Sequence, residues 1–442
     1  MIEKNSSEKN NLKSILGVGF GIAVTIGGVI GSGILYNPGI IVGLLQNHWL
    51  ILLCWLLGGL YLIMAIGAYS ELGTMIPKAG GPYNYAERAF GPYLGFLTGW
   101  FDFLVNSLAP AYISIAIAEY LALLFPTLKG YEILIAISIV VAFTAYHIGG
   151  VKNGDIFQKI TSLLKVCVFA FLIIACFYFA FGKSLLFNET TNTTPLAQGG
   201  IIIAIFKSLQ LIIGTYGGWN AACYFAEEFK NPGKELPKSL FIGVIIVIII
   251  YILFNTALLS VVPTAVLSGS SLAASDAATL IFGKTGGVIF TLIAILSLTS
   301  ILNAFIMVPS RILFGLSRSG HFIPQGAIIN KKGSPYIAMG IICLLEIVYI
   351  FSGSFSELFA LGTFTVLIVD GLAYASVIKL RKSEPDLHRP YRQKGFPFSS
   401  WLLVGVVLAL LTGFAIADYK SLLVLIGIVI ASYPAFNLLK RK

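Results

Sequence analysis

Charge is what this sequence has least of. Only 11% of its 442 residues are Asp, Glu, Lys or Arg, against about 25% in an ordinary soluble domain. So few charges cannot solvate a globular surface, which excludes a soluble protein of this size. Histidine is scarce too, with four residues. Neither these nor the scattered carboxylates form a metal-ligand cluster or a nucleophile–base pair, so the residues give no footing to an enzyme, a metal site or a bound cofactor. The five cysteines, Cys54, Cys167, Cys176, Cys223 and Cys343, all stand in apolar runs without Cys-x-x-Cys spacing. That argues against a disulfide framework and for buried packing thiols. Gly17-Val-Gly-Phe-Gly21 follows no strand and sits at the edge of an apolar run, so it is not a dinucleotide fingerprint.

What is abundant is apolar: 57% of the residues are hydrophobic, and the mean hydropathy is +0.91. A bilayer core needs about 20 apolar helical residues per crossing. The chain supplies about twelve such runs, centred near Val29, Leu60, Ser107, Ile139, Ala170, Gly214, Ile249, Leu298, Leu344, Ile368, Val407 and Ile428. Turn sequences such as Lys78-Ala-Gly-Gly-Pro82, Asn231-Pro-Gly233 and Gly333-Ser-Pro335 separate them. The fold class expected is an all-α polytopic membrane protein with 12 transmembrane helices, a single transmembrane domain over 1–442. The first apolar run is too long for a signal peptide and reads as a retained span.

The formal net charge of +10 has its own explanation. With the N-terminus inside, the outer segments hold only Lys129, Lys183, Lys284 and Lys420, and Lys165 and Lys207 fall inside spans. All the rest of the 29 Lys and Arg residues fall on inner segments. Such segregation places both termini in the cytoplasm of a cell with this chain in its plasma (inner) membrane. It assigns the basic excess to the lipid bilayer surface and not to nucleic acid. The outer sequons at Asn188 and Asn192 read as a polar Asn/Thr loop.

Two spans carry glycine-rich interruptions: Gly27-Gly-Val-Ile-Gly-Ser-Gly33 in the first and Gly214-Thr-Tyr-Gly-Gly-Trp-Asn220 in the sixth. Glycine costs a helix interior about 1 kcal/mol relative to alanine, so each cluster favours local unwinding. Close helix packing through small residues explains a single cluster as well. Two clusters five spans apart match an inverted repeat, with approximate halves 15–182 and 199–380 and two extra helices at 400–438. Unwound N–H groups suit an anion and unwound carbonyls a cation, which together suit a zwitterion. The candidate substrate-binding residues are therefore Val29, Ile30, Gly31, Ser32 and Gly33 from one break, with Gly214, Thr215, Tyr216, Gly217, Trp219 and Asn220 from the other. For Tyr216 and Trp219, aromatic core packing is the alternative.

Intramembrane charges are functional candidates by default. Lys165 lies about ten residues beyond Asp155, roughly 15 Å deep by helical rise, and needs an internal partner or a wet vestibule. Lys207 reads as snorkelling outward or lining an outer vestibule. Asp102, Glu119, Glu346 and Asp370 are taken as satisfied polar residues without a role.

Several motifs together resemble the amino acid–polyamine–organocation (APC) permeases, and within them bacterial relatives of the L-type amino acid transporters. They are Gly28-Val-Ile-Gly-Ser-Gly-Ile34, Tyr69-Ser-Glu-Leu-Gly73, Gly80-Gly-Pro-Tyr83 and Tyr216-Gly-Gly-Trp-Asn220, followed by Glu227-Glu228 with Asn231-Pro232, Ser310-Arg311, and Lys382-Ser-Glu-Pro385 with Arg389-Pro390. The resemblance implies a five-plus-five inverted-repeat (LeuT-like) fold with unwound helices 1 and 6 and alternating access. It implies a substrate carboxylate held by the amides around Ser32 and Gly33, and an α-ammonium held by carbonyls near Gly214, Thr215 and Gly217. Lys165 matches a family lysine standing about where sodium sits in sodium-coupled relatives, tethering span five to the first break. Relatives often carry an aromatic gate where this chain has Gly214. Mammalian L-type relatives join a heavy chain through a cysteine between spans three and four. Phe125-Pro-Thr-Leu-Lys-Gly130 has none, so no disulfide-linked heavy chain is expected. The function implied is sodium-independent transport of neutral L-amino acids by exchange, with proton-coupled amino acid or amine symport as the alternative. Cationic substrates are less favoured on this reading, because Lys165 occupies the region and neither break holds a carboxylate.

Overall fold

The computed structural model describes residues 12, 14–183, 200–268, 270, 272–352, 355–417 and 419–439. The sequons at Asn188 and Asn192 and both terminal basic clusters lie outside the described residues, as does the side chain of Ser32. Among the described residues, fifteen α-helices follow one another: α1 (Val18–Val29), α2 (Ser32–Leu45), α3 (His48–Met75), α4 (Pro82–Phe90), α5 (Pro92–Leu124), α6 (Glu132–Ile148), α7 (Val151–Lys183), α8 (Gly200–Thr215), α9 (Pro232–Val261), α10 (Thr264–Leu267), α11 (Ala273–Arg318), α12 (Tyr336–Ser352), α13 (Phe355–Ser383), α14 (Phe398–Ala417) and α15 (Tyr419–Leu439). Among the described residues there is no β-strand, only an isolated bridge between Leu16 and Phe229.

Helices dominate because a backbone in hydrocarbon must satisfy its own polar groups. Among the described residues, seven helices are long and apolar enough to cross a bilayer. α1 and α2 form a pair bent by 40° that makes an eighth crossing if counted as one, and four shorter apolar helices accompany them. The chain is a multi-pass membrane protein. Local chemistry sets the helix ends: proline opens α4, α5 and α9 at a position whose N–H has no helical partner anyway. The Asn47 side chain accepts from Leu50 N at 2.9 Å to cap α3. α11 runs 46 residues, roughly 70 Å if straight and more than twice a bilayer core. It turns at Gly283, whose φ of 73° and ψ of −170° are outside any helix.

The core gathers around the two interruptions. α1 packs against α7, α9 and α11, α2 against α8, and α5 against α11 and α13, while α14 and α15 pack at the periphery. The chain entering α1 is tied to the end of the second interruption, where Leu16 N donates to Glu228 O at 2.9 Å and Lys230 N to Leu16 O at 3.0 Å.

Candidate functional site

The first interruption is short. α1 ends at Val29, Ile30 is extended (φ −71°, ψ 100°), and α2 starts after Gly31. The second is longer: α8 stops at Thr215, and after 216–220 the chain resumes as a 3₁₀ helix, Ala221–Glu228. Glycine clustering pointed to unwinding but not to this tighter helix. Each interruption leaves helix-terminal N–H and C=O groups without helical partners. The two are in backbone contact, because a Cβ on Gly218 (φ +86°) would stand 2.7 Å from Gly28 O. The Tyr251 hydroxyl of α9 sits against both helix ends, donating to Val29 O at 2.8 Å and reaching Thr215 O at 3.3 Å.

Between the interruptions lies a cavity of about 100 Å³, several times the ~10–15 Å³ that one water occupies by the same measure. Val29, Gly31 and Gly33 line it from the first interruption, and Gly214, Thr215, Gly217, Trp219 and Asn220 from the second. Tyr216 instead packs away from it, edge-on to Trp55 with ring centroids 5.8 Å apart and 5.0 Å from Tyr251. Ile30 contributes no lining; its carbonyl faces α7.

Lys165 explains that carbonyl. The side chain is 3% exposed and does not line the cavity. Its ammonium donates to Ile30 O at 2.6 Å and Gly27 O at 3.1 Å. It ends a stripe of polar residues on one face of α7. Ser162 Oγ donates to Ala23 O at 2.8 Å, Gln158 Nε2 to the same oxygen at 3.3 Å, and Thr161 Oγ1 to Ser300 Oγ at 2.9 Å. Asn303 Nδ2 donates to Gln158 Oε1 at 2.6 Å, and Ser297 of α11 reaches Ile30 O at 3.4 Å. The stripe was readable as polar residues at i, i+3, i+4 and i+7 in an apolar helix.

Two carboxylates without an assigned role also line the cavity: Asp102 of α5 and Asp370 of α13. Asp102 Oδ1 accepts from Tyr224 Oη and Asn106 Nδ2, both at 2.8 Å, and Asp370 Oδ1 accepts from Tyr69 Oη at 2.5 Å. One of the two reasons given against a cationic substrate therefore falls; the other, that neither break holds a carboxylate, stands but does not describe the whole cavity. The carboxylates come from helices remote in sequence from either break, and Lys165 is not in the cavity. The i, i+4 pair Asp102 and Asn106 inside an apolar run was the available signal. Glu119 is exposed, while Glu346 is buried in α12 away from the cavity lining. Lys207 lines a lateral groove between α8 and α14.

At one end of the bundle the 3₁₀ helix is bolted to α11. Arg311 Nε donates to Glu228 Oε1 at 3.1 Å with both side chains buried, and the guanidinium lies 5.2 Å over the Phe225 ring. Arg318 clamps Glu227 at 2.6 and 2.8 Å, and Ala79 N donates to the same carboxylate at 3.1 Å. Removing one partner of a buried ion pair costs about 3–5 kcal/mol. Glu228→Gln should accordingly lower the thermal midpoint far more than Arg88→Gln, which loses only the half-exposed Glu384 pair. Equal midpoints, read by scanning fluorimetry in detergent, would remove the pair from the account.

Comparison with known proteins agrees with this architecture. Residues 21–438 match the amino acid permease family. The serine/threonine exchanger SteT of Bacillus subtilis (strain 168) is 28% identical over 99% of both chains. The b(0,+)-type amino acid transporter 1 of Mus musculus is 27% identical, over 86% of this chain and 79% of its own. The large neutral amino acids transporter small subunit 2 of the same organism is 30% identical, over 86% of this chain and 73% of its own. All three are transporters by name, none an enzyme. Two broken helices around a small cavity, in a charge-poor helical bundle, thus belong to a known lineage: this chain is a member of the amino acid permease family of the APC superfamily, resembling the L-type amino acid transporters.

Proposed function

We propose that this chain is a sodium-independent exchanger of neutral L-amino acids that works by alternating access. The observation that carries this reading is the single cavity wall shared by both interruptions. The first N–H groups of α2, around Ser32 and Gly33, suit the substrate carboxylate. The carbonyls at the end of α8, near Gly214, Thr215 and Gly217, suit its ammonium. Tyr251 and the Gly217 amide already engage two of them, on Thr215 and Gly214, and a carbonyl oxygen accepts twice.

Lys165 supports independence from sodium. Unwound carbonyls are what coordinate sodium in transporters with broken helices, and here a tethered ammonium takes the carbonyls of Gly27 and Ile30. The reading includes twelve spans in two inverted repeats, 15–182 and 199–380, with extra helices at 400–438. It also includes cytoplasmic termini and a plasma-membrane location without a disulfide-linked heavy chain. The names of the relatives, a serine/threonine exchanger and a large neutral amino acid transporter among them, favour the same substrate class.

Labelled alanine, serine or leucine should enter proteoliposomes equally in potassium and in sodium buffer. Uptake strictly dependent on sodium overturns the reading. The second reading, proton-coupled symport, has the burial of Lys165 within a span in its favour, since ionisable residues inside the membrane mark ion and proton pathways. A pH gradient alone, without internal amino acid, would then drive accumulation.

A further inference from the structure

The backbone groups of the two interruptions are enough to hold the α-carboxylate and α-ammonium of any amino acid. Asp102 and Asp370 are left over. Each is 2% exposed, each lines the cavity, and neither makes an ion pair among the described residues. Asp102 is lopsided as well: both of its hydrogen bonds go to Oδ1, while Oδ2 is buried without a partner. A buried carboxylate needs a compensating charge or hydrogen-bond donor, and an unpaired one is strongly disfavoured. Tyrosine hydroxyls hold both groups in place. Tyr224 grips Asp102, and Tyr69, whose ring stands edge-on to Trp219 at 4.8 Å, grips Asp370. The aromatic residues Trp219 and Phe305 line the same cavity. Lys165 is spent on the carbonyls of Gly27 and Ile30 and does not reach the cavity.

We propose that Asp102 and Asp370 form a distal subsite for a positively charged side chain, so that the transporter takes amino acids bearing a side-chain ammonium or guanidinium alongside neutral ones. This rests on the zwitterion site proposed above and widens its substrate class. The unpartnered Asp102 oxygen accepts from the side-chain cation, and Asp370 supplies the second negative charge.

The test compares ligands that differ in the distal charge alone. Exchange of labelled alanine in proteoliposomes is competed by lysine against norleucine and by ornithine against norvaline. In the wild-type chain the cationic member of each pair should compete roughly 10- to 100-fold better, the range of one charged hydrogen bond. Asp102→Asn should bring that ratio to about one, because its amide no longer offers a charged acceptor, and Asp370→Asn should lower it. The ratio is internal to each variant, so a general loss of rate does not obscure it. Where a variant does not transport, the thermal stabilisation of the purified protein by lysine against norleucine reads the same preference. A wild-type ratio of one, or a ratio untouched by either substitution, overturns the subsite. Wild-type protein that exchanges no amino acid at all refutes the transport reading instead, and the stabilisation experiment still decides the subsite.

Discussion

Lys165→Met is expected to abolish amino acid exchange while the protein still folds. Methionine fills nearly the same volume without the ammonium, so the change removes two charge-assisted hydrogen bonds and little packing. Gly27 O and Ile30 O lose the ammonium, leaving Ile30 O only the long contact from Ser297 at 3.4 Å, and each charge-assisted bond lost is worth about 1.5–3 kcal/mol. That is enough to slow any step needing a fixed first interruption by roughly 100-fold or more. Arginine should not rescue it, because a guanidinium is a planar fork and the carbonyl seat fits a compact point charge. The measurement is alanine exchange in proteoliposomes, with elution profile and thermal midpoint confirming an intact fold. Wild-type rates from Lys165→Met would mean that the tether is ornamental.

The second large effect is expected at Gly218. Its φ of +86° lies where a side chain is rarely tolerated, and an added Cβ would sit 2.7 Å from Gly28 O and 3.0 Å from the Phe305 ring. Alanine there carries about 1–2 kcal/mol of backbone strain. It also forces the two interruptions apart by several tenths of an ångström, at the spot where their backbones meet beside the cavity. Exchange should fall by more than about tenfold, with KM for alanine raised, since a displaced backbone site loses hydrogen-bond geometry. Gly340→Ala is the matched control. It sits within α12 with open space where its Cβ would go, so alanine is tolerated or slightly stabilising. Equal kinetics for the two variants would show that the contact between the interruptions is only packing.

How much of this was legible beforehand depends on how local each signal is. Apolar runs about 20 residues long are local, so the helical membrane class is plain from composition and pattern. The glycine clusters are local too, and the chain does leave the α-helix at Ile30–Gly31 and beyond Thr215. Lys165 announced itself as a lone cation in an apolar run. What escaped are features made by side chains far apart in sequence. Tyr251 braces two helix ends that precede it by 222 and 36 residues, and nothing in its own neighbourhood says so. Asp102 and Asp370 meet the cavity only because α5 and α13 pack together beside it. Tyr216 sits in the same motif as Trp219 yet turns the other way, toward Trp55, a choice made by tertiary packing alone. The 3₁₀ geometry of Ala221–Glu228 likewise depends on its anchorage, with Glu227 and Glu228 held by arginines of α11.

Trans-stimulation bears most directly on the central claim, that the two interruptions carry a zwitterionic amino acid across by exchange without sodium. Proteoliposomes are preloaded either with unlabelled alanine or with buffer, and entry of labelled alanine is timed in sodium-free medium. The account predicts fast entry into the alanine-loaded vesicles and slow entry into the empty ones, with sodium changing neither. Entry that ignores the internal amino acid, or that proceeds only when sodium is added, would contradict it.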